Sequence, residues 1–219
     1  MSIALSIGYN LTTGGVFTAS AVNNTSVTNV TDFASLPAGG ALKLLSTQTA
    51  SASASISFTS GIDSTYDSYV FKFINIHPSN AGTNFRVNFS TDGGTNYNVT
   101  KTTNVFASQH FENDSSASLS YQAGQDLAQS TNPQMFMVLD NANDSGGAGE
   151  LFLFNPSSTT FAKHFIAKGT GFVVDGGNPK EYDMYVAGYG NTTSAIDAVQ
   201  FSMATGNIDD GIIKMYGVV

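Results

Sequence analysis

From Ala41 to the C-terminus, apolar and polar residues alternate with a period of two in short runs, and clusters of Gly, Asn, Asp, Pro or Ser close each run before a helical period develops. Alternation of this kind sets one side chain toward a core and the next toward solvent, as half-buried β-strands require and an amphipathic helix forbids. It starts in Ala41-Leu42-Lys43-Leu44-Leu45 and in Ala52 to Phe58, and it is cleanest at Phe85-Arg86-Val87-Asn88-Phe89. The run Tyr69-Val70-Phe71-Lys72-Phe73-Ile74-Asn75-Ile76 is apolar on nearly both faces, like a central strand, and His77-Pro78 ends it. Further strands are predicted at 105–111, 134–140, 150–155, 161–168, 182–189, 198–203 and 212–216. Ser90 to Tyr97 reads as a hairpin connection, because Asp92-Gly93-Gly94 can supply positive φ angles, and 97–100 is predicted to return along 85–89.

So many strands with recurring turn signals imply an all-β fold, an antiparallel two-sheet β-sandwich of jelly-roll type. A chain of 219 residues is long enough for one such domain. Charged residues make up only 11%, and Ser, Thr, Asn and Gly, which suit turns and strand edges better than helix interiors, take their place. The chain has no Trp, so core volume is assigned to strand aromatics: Phe71, Phe73, Phe85, Phe89, Phe136, Phe152, Phe154, Phe165, Tyr185 and Phe201.

Two segments are predicted, an extended N-terminal arm over 1–40 and the sandwich over 41–219. The arm carries almost no charge and only short β-prone pieces such as Ser26-Val27-Thr28-Asn29-Val30, too little to fold alone. Its apolar residues, among them Ile3, Leu5, Ile7, Phe17, Phe33 and Leu36, are too many for a solvated tail. Two readings stay open: an arm ordered against another chain for attachment or oligomerisation, or extra strands on the main domain. Leu36-Pro37-Ala38-Gly39-Gly40 is the hinge on either.

Composition excludes several functions. No Cys means no disulfide, thiolate chemistry or sulfur-ligated metal. A net charge of −8 with scattered Lys and Arg argues against nucleic acid as a partner. No apolar run approaches the ~20 residues of a membrane-spanning helix, and no signal-peptide pattern is read at the N-terminus, so membrane insertion is not expected.

Catalytic and metal patterns fare no better. His77, His110 and His164 lack HxH or HExxH spacing, and no G-x-S-x-G elbow occurs. Asp209-Asp210 reads as part of a turn, and Asp140 to Gly147 fails the alternating ligand pattern of a calcium loop. Gly169-Thr170-Gly171 and Gly188-Tyr189-Gly190 do not stand between strand and helix, and are read as turns or bulges. The expectation is a non-enzymatic protein with no cofactor. Tyr97, Asn98, Tyr121, Tyr189 and Asn191 are the candidate glycan contacts, loop Tyr and Asn that can stack on and hydrogen-bond to sugars; the competing reading is that they cap strands and fill corners.

An ordered set of stretches resembles a family of short structural proteins of marine tailed phages, the cyanophages and pelagiphages. It comprises Leu44 to Ala50, Ile56 to Tyr66, Phe73 to Pro78, Ser90 to Gly94, Phe154 to Thr160 and Gly211 to Gly217, and covers most of 41–219. The resemblance implies a virion protein assembled in the host cytoplasm, a tail fibre or tail appendage displaying a β-sandwich for host attachment. It further implies a homo-oligomer, a trimer, with the arm contacting other virion proteins and the sandwich facing host-surface glycan. A capsid decoration protein, of cement or head-fibre kind, is the alternative within that class. A carbohydrate-binding module or a polysaccharide hydrolase is the alternative outside it; the hydrolase needs two carboxylates ~5–9.5 Å apart in a groove.

Overall fold

The computed structural model describes residues 41–219, in which the alternating runs become twelve strands, with no helix among the described residues. In order they are β1 (Leu42–Thr49), β2 (Ser55–Phe58), β3 (Ser68–Pro78), β4 (Thr83–Ser90), β5 (Lys101–Phe111) and β6 (Ala117–Tyr121). There follow β7 (Gln134–Leu139), β8 (Gly147–Phe154), β9 (Lys163–Asp175), β10 (Asn178–Gly190), β11 (Ala198–Met203) and β12 (Ile208–Val218). The expectations for residues 1–40, the arm, its hinge and its attachment role, lie outside the described residues.

Eight strands form one sheet in the order β1-β12-β3-β8-β9-β10-β5-β6, and four form the other in the order β2-β11-β4-β7. The pairing is nested from the ends inward: β1 with β12, β2 with β11, β3 with β8 and β4 with β7, all antiparallel. Successive pairs fall in alternate sheets, and β12–β3 and β11–β4 contacts stitch them together. A long hairpin rolled up in this way is a jelly roll. Two insertions enlarge it. β5–β6 enters between β4 and β7, β9–β10 between β8 and β11, and both extend the larger sheet beyond β8.

Local sequence explains how the insertions form. β9 and β10 pair without a break from Lys163–Gly190 to Asp175–Asn178, and Gly176 (φ 58°) with Gly177 (φ 83°) makes the two-residue turn, which needs positive φ at both positions. The expected hairpin after β4 forms differently. Gly93 and Gly94 do take positive φ (71° and 85°), but 97–100 forms no strand on β4; it carries the chain to β5 in the other sheet. The neighbours of β4 are β11 and β7, and because β7 takes Thr83 to Val87 the return touches β4 only at its end, where the Val99 amide donates to the Phe89 carbonyl at 3.3 Å.

The core lies between the sheets. Phe201 on β11 is its hub, with ring centroids 5.0 Å from Phe73, 5.3 Å from Phe71 and 5.8 Å from Phe85. Most of these contacts are edge-on, the arrangement that ring quadrupoles favour. Phe71, Phe73, Phe85, Phe89, Phe136, Phe165 and Phe201 are buried as expected.

Beyond β8 the two sheets close on glycine. Gly169 and Gly171, expected in turns or bulges, lie inside β9 with β7 pressed on them: a Cβ at Gly171 would stand 2.1 Å from the Val138 carbonyl oxygen, and one at Gly169 3.0 Å from that of Phe136. On β8, a Cβ at Gly147 would meet Met137 Sδ at 2.2 Å. Backbone therefore lies almost against backbone, and a methyl has nowhere to go. Gly171→Ala is expected to destabilise the fold by about 2–3 kcal/mol, the upper range for overpacking, whereas Gly176→Asn in the β9–β10 turn should cost under about 1 kcal/mol. Equal costs in urea unfolding would remove the close-approach argument.

A polar layer fills the junction of β4, β5 and β7. Lys101, fully buried, donates from Nζ to Asn88 Oδ1 (2.5 Å) and to the Val99 carbonyl (2.8 Å), while Thr103 Oγ1 donates to Gln134 Oε1 (2.6 Å). Burial lowers the Lys101 pKa from 10.5 to about 8. The folded state thus holds this proton less tightly than the unfolded chain, so the penalty is complete below about pH 8 and fades as pH rises toward 10.5. Relative to Lys101→Met, the wild type should gain on the order of 3 kcal/mol in unfolding free energy between about pH 7 and pH 11. A pH-independent difference would show that the ammonium is not desolvated.

Candidate functional site: the outer face of the larger sheet

Strand alternation decides which side chains reach this face. On β9, Phe165, Ala167, Gly169 and Gly171 point inward, so His164, Ile166, Lys168, Thr170 and Phe172 point outward. Register carries the same choice across the sheet. Lys72, Glu150, Lys168, Tyr185, Phe106 and Tyr121 stand directly opposite one another, from β3 to β6, as one cross-strand row. Val70, Phe152, Ile166, Ala187 and Asn104 form the next.

The row begins with an ion ladder. Glu150 accepts Lys168 Nζ at 2.9 Å through Oε1 and faces Lys72 Nζ at 3.5 Å through Oε2. The hydrogen bond from Lys168 is the largest cause that holds the Glu150 carboxyl below the ordinary carboxylate range. The row ends in aromatics. Tyr185 and Phe106 are each 42% exposed, Tyr121 is 52% exposed and Leu119 beside them 77%. Phe106 and Tyr121 meet edge-on at 5.7 Å, and the Tyr121 hydroxyl donates to Asp126 Oδ2, so these rings are held in place although exposed. Phe152 and Phe154 stack at 6.2 Å with planes 12° apart.

Between the side chains run three adjoining hollows. One of about 470 Å³ lies among Asn104, Phe154, His164, Ile166 and Tyr189. It shares Phe154 and Ile166 with a second of about 310 Å³, which in turn shares Lys168 and Tyr185 with a third of about 240 Å³ reaching Phe106, Asp183 and Leu119. Together they make a trough over β8, β9, β10, β5 and β6.

At one end the face becomes acidic. A cleft of about 940 Å³ is lined by Glu112, Asp144, Glu181, Asp209 and Asp210, with His77 and His110. Asp209 and Asp210, expected in a turn, lie in β12, where register shifts against β3 and a positive φ at Asn75 (51°) and Gly211 (125°) bend both strands beside the cleft. Such bulges turn side chains away from the regular pleat. Glu181 accepts Thr170 Oγ1 at 2.8 Å, and burial, with Asp183 nearby, pushes its carboxyl up. Among the described residues no group of three or more His, Asp or Glu is arranged to hold a metal. The Asp140 to Gly147 loop instead bonds to itself: Asp140 accepts the Asn141 amide at 2.8 Å and the Ser145 hydroxyl at 2.5 Å.

The five candidate glycan contacts separate. Tyr121 and Tyr189 belong to this face, Tyr189 with its ring 5.9 Å from that of His164. Asn191 follows the end of β10 and donates to Gln129 Oε1 at 2.8 Å. Tyr97 and Asn98 lie in the segment between β4 and β5 and line none of the three hollows. Asn98 is exposed, but the Tyr97 hydroxyl is buried under the turn, where a Cβ on Gly94 would stand 2.7 Å from it. Three residues assigned to the core, Phe152, Phe154 and Tyr185, point outward and line the trough. Alternation with a buried neighbour, Leu151, Leu153 or Met184, was the signal for this.

No protein-family model, curated protein or solved structure matches the chain.

Lys168→Met should return the Glu150 pKa upward toward the ordinary carboxylate range, read by NMR titration of the side-chain carboxyl. An unmoved Glu150 would mean that the ladder does not persist in solution.

Proposed function

We propose that this chain is a structural protein of a tailed-bacteriophage virion, an appendage of tail-fibre kind that displays a jelly-roll sandwich for attachment to a host surface. The observation that carries the reading is the outer face of the larger sheet. Four inserted strands widen that face, and its aromatic side chains stay exposed in the described chain. Exposed apolar patches on a stable sandwich mark a surface that meets something else. The ordered resemblance over 41–219 supplies the context, a particle built in the host cytoplasm and presented to the next cell. The proposal gives the chain no catalytic role. It takes the chain as a homotrimer and gives 1–40 the role of attachment to the particle or of oligomerisation.

The test takes particles from cells in which the encoding genome replicates. Gradient-purified particles should contain the full chain by mass spectrometry, and antibodies against it should label tail extremities in immunogold micrographs. Label spread over the head would replace the appendage by a capsid decoration protein. Absence of the chain from the particles would overturn the virion reading.

A further inference from the structure

We infer that the trough on the outer face of the larger sheet binds an extended strand of neutral polysaccharide, with Tyr185 and Phe106 as its stacking platform. The inference rests on the attachment reading and names its ligand class. Four observations converge on it.

The first is shape. Three hollows joined in series by Phe154 and Ile166, then by Lys168 and Tyr185, suit a chain of repeated units better than a compact ligand, which would favour one deep pocket. The second is chemistry. A sugar ring offers apolar C–H faces rimmed by hydroxyls, and the trough alternates apolar rings with groups that donate and accept: Lys168 and Glu150 beside Tyr185, and Asp183 beside Phe106.

The third observation is the state of the backbone. β8, β9, β10 and β5 are each paired on both sides, so over all but the edge strand β6 the trough offers a ligand side chains and no free main-chain donors. An extended peptide draws its affinity from main-chain pairing at a sheet edge, whereas a polysaccharide is read by side chains alone. The fourth is charge. A second copy stacked on this face would bury the Lys72–Glu150–Lys168 ladder, and charged groups are depleted at the centre of protein interfaces because desolvating them is costly. The acidic cleft at the end of the face, on a chain of net charge −8, disfavours a polyanion.

Preorganisation adds to these. Phe106 is braced by Tyr121, whose hydroxyl is tied to Asp126, so little side-chain freedom remains to be lost when a sugar stacks there.

The experiment uses the full chain on a printed array of purified bacterial surface polysaccharides, neutral and anionic. Binding is expected to neutral polymers, and titration with a bound polymer should show about tenfold weaker binding for Tyr185→Ala and for Phe106→Ala, equivalent to the loss of about 1.4 kcal/mol of stacking. Asn98→Ala, at an exposed residue that lines none of the three hollows, should bind as wild type. All four proteins should give matching circular dichroism spectra, which keeps folding out of the comparison. Binding to anionic polymers only, to none, or without dependence on Tyr185 and Phe106 would overturn the inference. So would light scattering in which Tyr185→Ala breaks an oligomer, since the face would then belong to a second copy. Adhesion of labelled chain to bacterial cells separates the two readings. Adhesion that survives both aromatic substitutions sinks the trough and leaves attachment standing, while no adhesion by the wild type sinks attachment itself.

Discussion

The closeness of β7 to the bare backbone of β8 and β9 is the contact on which the enlarged sandwich depends. In an eight-strand jelly roll the two four-stranded sheets cover each other, but here one sheet is twice as wide as the other. Its extension needs backing on the inner side. β7, the edge of the smaller sheet, reaches Gly169 and Gly171 with its own carbonyls, and that approach is open only to residues without a Cβ. Inner faces are thereby closed with little filler. The Phe cluster around Phe201 fills the region under β3, where the sheets stand apart, and glycine takes over where they converge.

Closing the inner side has a consequence for the outer one. Every large apolar side chain that the inner layer needs comes from one phase of the alternation, so the other phase is released from packing. On β8 and β10 the released phase still carries Phe152, Phe154 and Tyr185. Folding alone asks for polar residues at such positions, since an antiparallel sheet with one wet face ordinarily alternates apolar inside with polar outside. The polar Lys101–Asn88 and Thr103–Gln134 contacts make the reverse exception, polar groups inside where the chain crosses from β4 to β5. Each is satisfied by a specific partner, so they hold the crossover without a disulfide in a chain that has no Cys.

Much of the fold was legible because alternation with a period of two is a local property. Most of the strands and the sandwich class follow from it, and the buried rings at Phe71, Phe73, Phe85 and Phe201 follow from their apolar neighbours. What alternation cannot supply is the face. Phe152 and Leu151 are both apolar, and only the partner strand decides which of them enters the core. The short β6 was not predicted, because Ala117 to Tyr121 is exposed throughout and so lacks a buried phase. Asp175-Gly176-Gly177-Asn178 did carry a signal, two glycines between β-prone runs, that would have placed the β9–β10 hairpin. Of the candidate contacts, Tyr121 and Tyr189 fell on the outer face and Tyr97 did not. A loop tyrosine can bury its hydroxyl beneath a turn, as Tyr97 does, as readily as it can face solvent, and sequence alone does not separate those outcomes.

The ion ladder and the exposed rings are best understood as one device. A wide sheet face bearing rings at Phe152, Phe154, Tyr185, Phe106 and Tyr121 would invite another sheet to stack on it, the arrangement by which β-sandwich cores form. Lys72, Glu150 and Lys168 stand in the same cross-strand row as three of those rings, Tyr185, Phe106 and Tyr121, so no flat apolar surface can cover Tyr185 and Phe106 without also covering charge. The paired charges hold one another upright beside the aromatics, as the 2.9 Å contact of Lys168 with Glu150 requires. On the proposed reading they leave the rings open to a ligand that brings its own hydroxyls and closed to one that brings only hydrocarbon. Selectivity in that reading comes from where charge is placed along a row, and the row exists because register fixes six strands against one another over the glycine contacts below.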